Sequence, residues 1–172
     1  MDLVEEAKNG NAQAFNSLIE MNKLKLYKTA KAILKNEDDV CDAIQETLMS
    51  AYMNISKLKE NKFFSTWIVR IMVNKCYDII NKNKKSSNNY DIDEYIDDNN
   101  LKSYDTYSSD SIVEYAINKL DEDLKTITVL YYYNEFSVKE ISEIIEIPEG
   151  TVKSRLSRAR EKLYVILNEG RG

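Results

Sequence analysis

A short cluster of hydrogen-bonding and cationic side chains lies near the carboxyl end of the chain. Its members are Thr151, Lys153, Ser154, Arg155, Ser157 and Arg158. Hydroxyl, ammonium and guanidinium groups donate hydrogen bonds to phosphate oxygens and to base edges, which are the contacts that proteins use to bind DNA. Residues 148–163 carry five Lys or Arg against two Glu, although the whole chain has a net charge of −5. This pattern predicts noncovalent recognition of nucleic acid.

Two predicted helices and a tight turn position this cluster. Ser137 and Glu140 have the spacing of a capping box, and apolar residues follow at helical intervals. Pro148 interrupts that pattern, and Gly150 supplies turn chemistry before a second helix. One face of the second helix is apolar and is predicted to be buried: Val152, Leu156, Ala159, Leu163 and Ile166. Residues 136–160 are thus a predicted helix-turn-helix, and an ordinary amphipathic helix pair with a solvated basic face is the alternative.

A second candidate surface for nucleic acid lies on a predicted helix over residues 65–84. Polar side chains follow one stripe of this helix, opposite its apolar face: Arg70, Asn74, Tyr77, Asn81 and Lys84. Residues 59–85 have a net charge of +5. Cations bind phosphates, amides bind base edges, and a tyrosine ring can stack on an exposed base. A purely solvated face is the alternative interpretation of this stripe.

A predicted helix over residues 37–55 has a different surface. Its apolar side chains indicate a core face: Val40, Ile44, Leu48, Ala51 and Ile55. The opposite side combines acids with methionines: Asp39, Asp42, Glu46, Met49 and Met53. Exposed methionine beside acidic residues suits an adaptable contact surface for a basic partner helix. The alternative is that both methionines pack under a neighbouring helix.

Composition argues against several classes of protein. The chain has no histidine and two cysteines, Cys41 and Cys76, without a C-x-x-C pair, so neither a zinc site nor a histidine base is expected. We therefore predict no metal, no cofactor and no catalytic residue, and an enzyme such as a nuclease is the weakest hypothesis. The first residues lack the features of a secretory signal, and no apolar run approaches the ~20 residues of a membrane span. A cytoplasmic protein without membrane insertion is expected.

The predicted fold class is all-α, with two small helical domains at residues 1–85 and 112–172. The whole chain is 43% hydrophobic and contains four Gly and one Pro, which is typical of a helical protein. The intervening residues 86–111 carry seven acids against one base and cannot bury enough apolar surface to fold alone. They are predicted to form a flexible acidic linker. Further helices are predicted over residues 12–34, 112–118 and 124–133.

Three segments of the sequence together resemble a known family. They are DAIQETL at residues 42–48, FSTWIVRIMVN at residues 64–74 and IPEGTVKSRLSRAR at residues 147–160. Their order and spacing are similar to those of the extracytoplasmic-function (ECF) group of bacterial sigma-70-family sigma factors, the promoter-recognition subunits of RNA polymerase. The resemblance covers nearly the whole chain apart from the linker.

This resemblance implies a role for each surface. The surface that would dock on the clamp helices of the polymerase β′ subunit comprises Asp39, Asp42, Gln45, Glu46 and Met49. The side chains that would open the minus-ten promoter element and capture a flipped base are Leu58, Lys59, Lys62, Phe63, Arg70, Asn74, Tyr77, Asn81 and Lys84. The cluster around Arg155 described first would read the minus-thirty-five element, and the domain that carries it would also touch the β flap.

The resemblance also implies a function and a form of control. The protein would bind core RNA polymerase and promoter DNA and would direct transcription initiation at selected promoters in a stress or envelope response. An anti-sigma factor, often membrane-anchored in this group, would hold it inactive, and the acidic linker would lie in the RNA-exit path. A stand-alone regulator that uses only its helix-turn-helix is the competing hypothesis, but it leaves the Asp42 surface and the Arg70 stripe unexplained.

The sequence departs from the family pattern at three places. Glu146 stands where relatives often have glycine in the turn, and a positive φ there would cost about 1 kcal/mol for a non-glycine residue. Leu58 replaces a frequent aromatic residue, which would alter the base-capture pocket. The basic segment over residues 59–85 uses lysine and asparagine where relatives prefer arginine, which would weaken bidentate contacts.

Overall fold

The computed structural model describes residues 2–87 and 109–169, and within these ranges the backbone forms helices and turns without strands. The helices are α1 (Leu3–Lys8), α2 (Ala12–Ile33), α3 (Glu37–Asn54), α4 (Phe64–Ser87), α5 (Ser109–Asn118), α6 (Glu122–Thr128), α7 (Val138–Ile145) and α8 (Glu149–Glu169). Short 3-10 turns lie between α3 and α4, and a π turn at Val129–Tyr133 continues α6. The predicted all-α class is confirmed. Most of the predicted linker, residues 86–111, lies outside the described residues.

Side-chain caps start the helices of the N-terminal half. Asn11 accepts hydrogen bonds from the backbone N–H groups of Gln13 and Ala14, and Asn36 caps α3 in the same manner. Gly10, in the turn before α2, has φ +90°, a conformation open to glycine. Helix α1 was not predicted from the sequence. It is only six residues long and begins at an Asp2 cap.

Helix α4 is the central element of the N-terminal half, because it contacts α2, α3 and α7. Phe64, Ile68 and Met72 are buried, as the apolar pattern predicts. Three further side chains of this helix are also buried: Val69, Val73 and Cys76. The sequence pattern predicted one buried face, whereas neighbours on several sides bury a wider part of this helix.

The C-terminal half places the helix-turn-helix on a scaffold of α5, α6 and the π turn. The single helix predicted over residues 124–133 is in fact α6 followed by the π turn, in which the N–H of Asn134 donates to the carbonyl of Val129 over 3.0 Å. Ile127 and Leu130 are completely buried there. Helix α8 then packs on α6 through the face that the sequence predicted.

The two halves pack against each other and share one apolar core. Leu130, Phe136 and Ile141 from the C-terminal half belong to the same buried cluster as the core residues of α2 and α4. A smaller cluster joins Ala32 of α2 to Ile117 of α5. We call this contact the seam: α2 and α4 on one side, and α5, α6, the π turn and α7 on the other.

Candidate nucleic-acid interface

The helix-turn-helix has the local geometry that the sequence predicts. The Ser137 hydroxyl accepts a hydrogen bond from the Glu140 N–H over 3.2 Å, and the Glu140 carboxylate accepts one from the Ser137 N–H over 2.8 Å. This capping box starts α7. Helix α7 ends at Glu146, which has φ 56° and ψ 46°. A non-glycine residue in this left-handed conformation is strained by about 1 kcal/mol, as the sequence analysis anticipated.

Helix α8 displays on its free side the hydrogen-bonding and cationic cluster of residues 151–158, which we call the recognition cluster because the sequence predicts that it binds DNA. Val152, Leu156 and Ala159 are buried and fix the rotation of the helix. The polar residues Lys153, Ser154, Ser157 and Arg158 are exposed, and Thr151 is half-buried. These side chains can therefore reach a DNA groove without rearrangement of the helix.

Arg155 differs from the rest of the recognition cluster because it is partly engaged within the fold. Its side chain is half-buried, and its guanidinium lies 3.5 Å from a carboxylate oxygen of Asp123 in α6. If Arg155 contacts DNA, its guanidinium must either leave Asp123 or bind the DNA while it remains paired with Asp123.

The segment that leads into α4 presents two lysines and an aromatic ring to solvent. Phe63 is 44% exposed, and the Lys62 ammonium lies 4.8 Å from the centroid of its ring. Lys59 is also exposed. Leu58, by contrast, is only 7% exposed and packs in the core. Its burial favours a supporting role for Leu58 and does not favour the direct DNA contact predicted from the sequence.

The polar stripe of α4 is exposed, although only 36% of Tyr77 is accessible: Arg70, Asn74, Tyr77, Asn81 and Lys84. Its first residue is nevertheless occupied, because Nη2 of Arg70 donates to a carboxylate oxygen of Glu146 over 2.5 Å. Burial raises the pKa of the Tyr77 phenol, and the negative charges of Asp123 and Glu122 raise it further. Two members of the stripe therefore face the C-terminal half.

The acidic side of α3 is open to solvent. Asp42, Gln45 and Glu46 are exposed, and Asp39 is half-buried and accepts a hydrogen bond from Asn83 over 3.1 Å. The Lys75 ammonium lies 3.8 Å from Glu46. Met49 and Met53 are 66% and 74% exposed, so the alternative in which they pack under a neighbouring helix is wrong. This side of α3 combines unburied apolar surface with negative charge, as a docking surface for a basic partner would.

Sequence reasoning missed the polar contacts that cross the seam. Besides the Arg70–Glu146 pair, Thr66 donates to a carboxylate oxygen of Glu140 over 3.3 Å. Nδ2 of Asn134 donates to the buried hydroxyl of Thr29 over 2.7 Å. The sequence contained one indication of these contacts. A glutamate at a turn position that favours glycine indicates that its carboxylate makes a contact elsewhere in the fold.

Lysines also line a cleft of about 390 Å³ at the seam, between α2 and helices α5 and α6. They are Lys28, Lys31, Lys35 and Lys125. Burial lowers the pKa of Lys125, and the positive charge of Lys31 lowers it further. Lys31 itself donates to Glu37 over 2.8 Å, which raises its pKa.

Metal sites and membrane spans are both absent from residues 2–87 and 109–169. No group of three His, Cys, Asp or Glu side chains in these ranges could hold a metal ion. None of the helices described there is long and apolar enough to cross a membrane.

Two family models match most of the chain. The model of sigma-70 region 2 matches residues 18–86, and the model of sigma-70 region 4 matches residues 111–163. Among curated proteins, the ECF RNA polymerase sigma factor SigW of Bacillus subtilis is 33% identical over 93% of this chain and 92% of its own length. The ECF RNA polymerase sigma-E factor of Haemophilus influenzae is 31% identical over 94% of this chain and 91% of its own length.

Solved structures share the fold. The sigma factor RpoE of Bartonella quintana, solved in complex with the anti-sigma factor NepR, matches with a TM-score of 0.72 and 24% identity, over 91% of this chain and 98% of that one. CnrH, solved in complex with the cytosolic domain of CnrY, matches with a TM-score of 0.69 and 23% identity, over 97% of this chain and 96% of that one.

Proposed function

Because the chain belongs to the extracytoplasmic-function group of the sigma-70 family, we propose that it binds core RNA polymerase and directs transcription initiation at a specific class of promoters. Proteins of this family are initiation factors and not enzymes. One observation carries the proposal: a single chain displays a free acidic docking side on α3, a basic stripe on α4 and a helix-turn-helix whose recognition side is open. A regulator that needed only the helix-turn-helix would have no use for the first two.

The exposed side of α3 is proposed to dock on the clamp helices of the polymerase β′ subunit. Its contact residues are Asp39, Asp42, Gln45, Glu46 and Met49. The carboxylates of this surface would face a basic helix of the partner, which would orient the docked complex and speed association. The exposed methionines would supply adaptable apolar area. The half-buried position of Asp39 and its bond to Asn83 favour a positioning role for this residue at the edge of the surface.

The segment before α4 and the polar stripe of α4 are proposed to recognise and open the minus-ten element. Lys59, Lys62 and Arg70 would bind phosphates of the separated strand. Asn74 would bind the edge of a flipped base, and the exposed ring of Phe63 offers a surface on which a base can stack. Tyr77, Asn81 and Lys84 extend the same stripe along the DNA.

Helix α8 is proposed to read the minus-thirty-five element in the major groove. Lys153 and Arg158 carry the free cations of its exposed side, and Thr151, Ser154 and Ser157 add hydroxyl groups of the kind that bind base edges and phosphates. The domain that presents them would also touch the β flap of the polymerase.

Regulation by an anti-sigma factor is proposed from the family. The RpoE structure that shares this fold is a complex with an anti-sigma factor, and an equivalent partner, membrane-anchored or free, would keep this chain from the polymerase until a stress or envelope signal releases it. The protein would work in the cytoplasm, where core polymerase and promoter DNA are present.

In vitro transcription tests the proposal. Purified protein is added to core polymerase with a library of promoter fragments, and the transcripts are sequenced. We expect initiation at a restricted set of sites that share minus-ten and minus-thirty-five elements. Transcription that does not differ from that of core polymerase alone would contradict the proposal. DNA binding without initiation would support the stand-alone regulator instead.

A further inference from the structure

We propose that Asn61 is a positioning residue, and that α1 acts through it to hold the turn that captures a flipped base. The inference rests on the proposed function, in which the exposed Phe63 ring and Lys62 meet the separated strand of the minus-ten element. It adds residues of a helix to which that function gives no role. They are the N-cap Asp2 and two residues of α1, Glu5 and Lys8.

The amide of Asn61 is bound through both of its polar atoms. Its Oδ1 accepts a hydrogen bond from the Lys8 ammonium over 2.6 Å. Its Nδ2 donates to a carboxylate oxygen of Asp2 over 2.6 Å and to one of Glu5 over 3.2 Å. The bond from Asn61 is also the main cause that lowers the pKa of the Asp2 carboxyl group. One side chain is therefore tied to three others that lie 53 to 59 residues earlier in the sequence.

The bound amide lies in the middle of the exposed segment that leads into α4. Leu58 before this segment and Phe64 after it are buried and anchor its two ends. Between these anchors Asn61 is half-buried, and the other four residues are exposed. The turn Asn61–Phe63 has no side-chain cap of its own. The contact with α1, which we call the tether, thus fixes the middle of a segment whose ends are fixed by apolar burial.

The tether sets the direction of the neighbouring side chains. In a 3-10 turn, successive side chains are about 120° apart around the axis. With Asn61 directed at α1, Lys62 and Phe63 are directed away from it and into solvent, where both are exposed. The Lys62 ammonium lies close to the Phe63 ring. A ring and a cation are thus presented side by side, as stacking on a base and binding of its phosphate require.

Presetting this turn favours capture because less order has to be created when the base binds. A segment that is fixed before binding loses less conformational entropy on binding, and the difference increases affinity. In this role the tether does not itself touch DNA. Its removal should therefore weaken the contact with the captured base and leave contacts elsewhere along the strand as they are.

The position of α1 does not depend on the tether. Val4 and Ala7 belong to the main buried cluster and anchor this helix by apolar packing. The Asp2 carboxylate also accepts a hydrogen bond from the Val4 N–H over 3.0 Å, which caps the helix. Substitution of Asn61 should therefore free the turn while α1 and the core remain folded, and an unchanged melting temperature checks this.

Binding of single-stranded DNA to the complex of this protein with core polymerase tests the inference. The probe is a fluorescent oligonucleotide of the non-template strand across the minus-ten element of a promoter found in the in vitro transcription experiment. A series of further probes replaces each base in turn with an abasic site. With the unsubstituted protein, the abasic site that weakens binding most identifies the captured base.

Asn61→Leu removes the amide at a similar side-chain volume. It should lower the ratio of the affinities for the intact probe and for the probe without the captured base roughly five- to ten-fold. Changes in net charge or in stability affect both probes equally and cancel in this ratio. Asn16→Leu, at an exposed position of α2, is the matched control and should keep the ratio of the unsubstituted protein. An unchanged ratio in Asn61→Leu would overturn the inference.

An exchange of donors and acceptors distinguishes the hydrogen bonds of the tether from the shape of the Asn61 side chain. Asp2→Asn and Glu5→Gln, combined with Asn61→Asp, reverse the direction of two bonds, and Lys8 can still donate to position 61. Asparagine is as good an N-cap as aspartate, so α1 keeps its start. The triple variant should keep the ratio within about two-fold of the unsubstituted protein, whereas Asn61→Asp alone should lower it as Asn61→Leu does.

The outcomes separate the tether from the function on which it rests. A triple variant whose ratio is as low as that of Asn61→Asp alone would overturn the inference, because restored hydrogen bonds would then have no effect on base capture. If no abasic site weakens binding of the unsubstituted protein, the proposed minus-ten function fails instead.

Discussion

Two arginines of α8, Arg155 and Arg158, have different surroundings and should respond differently to substitution. Arg158 is exposed, whereas Arg155 is half-buried beside Asp123. Arg158→Ala should weaken binding to a selected promoter by about 1–3 kcal/mol if the side chain reads a base, and it should leave the melting temperature unchanged. Fluorescence anisotropy with specific and scrambled DNA measures the effect.

The comparison of specific with scrambled DNA distinguishes a base contact of Arg158 from a phosphate contact. An equal loss on both DNAs would assign this side chain to a phosphate. Arg155→Ala is the matched variant, and it should also lower the melting temperature slightly because it removes the contact with Asp123 on α6. A loss of stability in Arg158→Ala would contradict the surroundings that we describe for it.

The two cysteines should differ sharply in reactivity. Cys41 is exposed, whereas Cys76 is completely buried and burial raises the pKa of its thiol to about 12. At pH 8 the thiolate fraction of Cys76 is therefore about one in ten thousand, and thiolates are the reactive form. A thiol-disulfide reagent should modify one cysteine quickly and the second only after denaturation. Rapid modification of two thiols in the native protein would contradict the packing around α4.

At the scale of helices, the acidic side of α3 offers a direct test of polymerase docking. Asp42→Arg combined with Glu46→Arg should abolish co-purification with core polymerase, since two repelling cations would face a basic partner. The circular dichroism spectrum should not change, because both side chains are exposed. Glu20→Arg with Glu143→Arg makes the same change of charge on other helices and should still co-purify. Undiminished binding by the α3 variant would remove this surface from the proposal.

Local rules in the sequence were sufficient to predict most helices. Asparagine caps set the starts of α2 and α3, and the Ser137–Glu140 capping box sets the start of α7. The apolar pattern correctly predicted that Val152, Leu156 and Ala159 of α8 are buried, whereas Leu163 and Ile166 are only half-buried. The same pattern failed for α4. Periodicity indicates one buried face of a helix, and it cannot show that a further neighbouring helix covers a second face. The π turn was also missed, since nothing local distinguishes its residues from those of a continuing helix.

At the scale of the whole molecule, the lysine cleft predicts how stability depends on pH. The pKa of Lys125 is lower in the folded protein than its ordinary value of 10.5, so the charged side chain destabilises the fold at neutral pH. This penalty is present below the folded pKa and disappears as the pH rises toward 10.5. Lys125→Met should therefore raise the melting temperature by roughly 1–3 °C at pH 7.5.

The difference between Lys125→Met and the unsubstituted protein should shrink at pH 10, because Lys125 then carries less charge in the folded protein. Differential scanning fluorimetry at the two pH values measures it. Lys139→Met, an exposed lysine of α7, is the control and should show no such dependence. A gain that stays constant between the two pH values would point to apolar packing as its cause.

The sequence could not predict that the two halves pack together. The side chains that meet at the seam are far apart in the chain: Arg70 and Glu146 are separated by 76 residues, and Thr29 and Asn134 by 105. Each half was predicted correctly as a helical unit because its helices obey local rules. The contact between the halves depends on surface shape and on partners that no periodicity reveals.

One detail of the seam concerns how firmly the two halves are held together. Nδ2 of Asn134 binds Thr29, but its Oδ1 is buried without a hydrogen-bond partner among the residues that the structure describes. A buried acceptor without a partner costs roughly 1–3 kcal/mol, and this penalty disappears when water reaches the amide. Asn134 therefore makes the seam less stable than an equally buried apolar contact would.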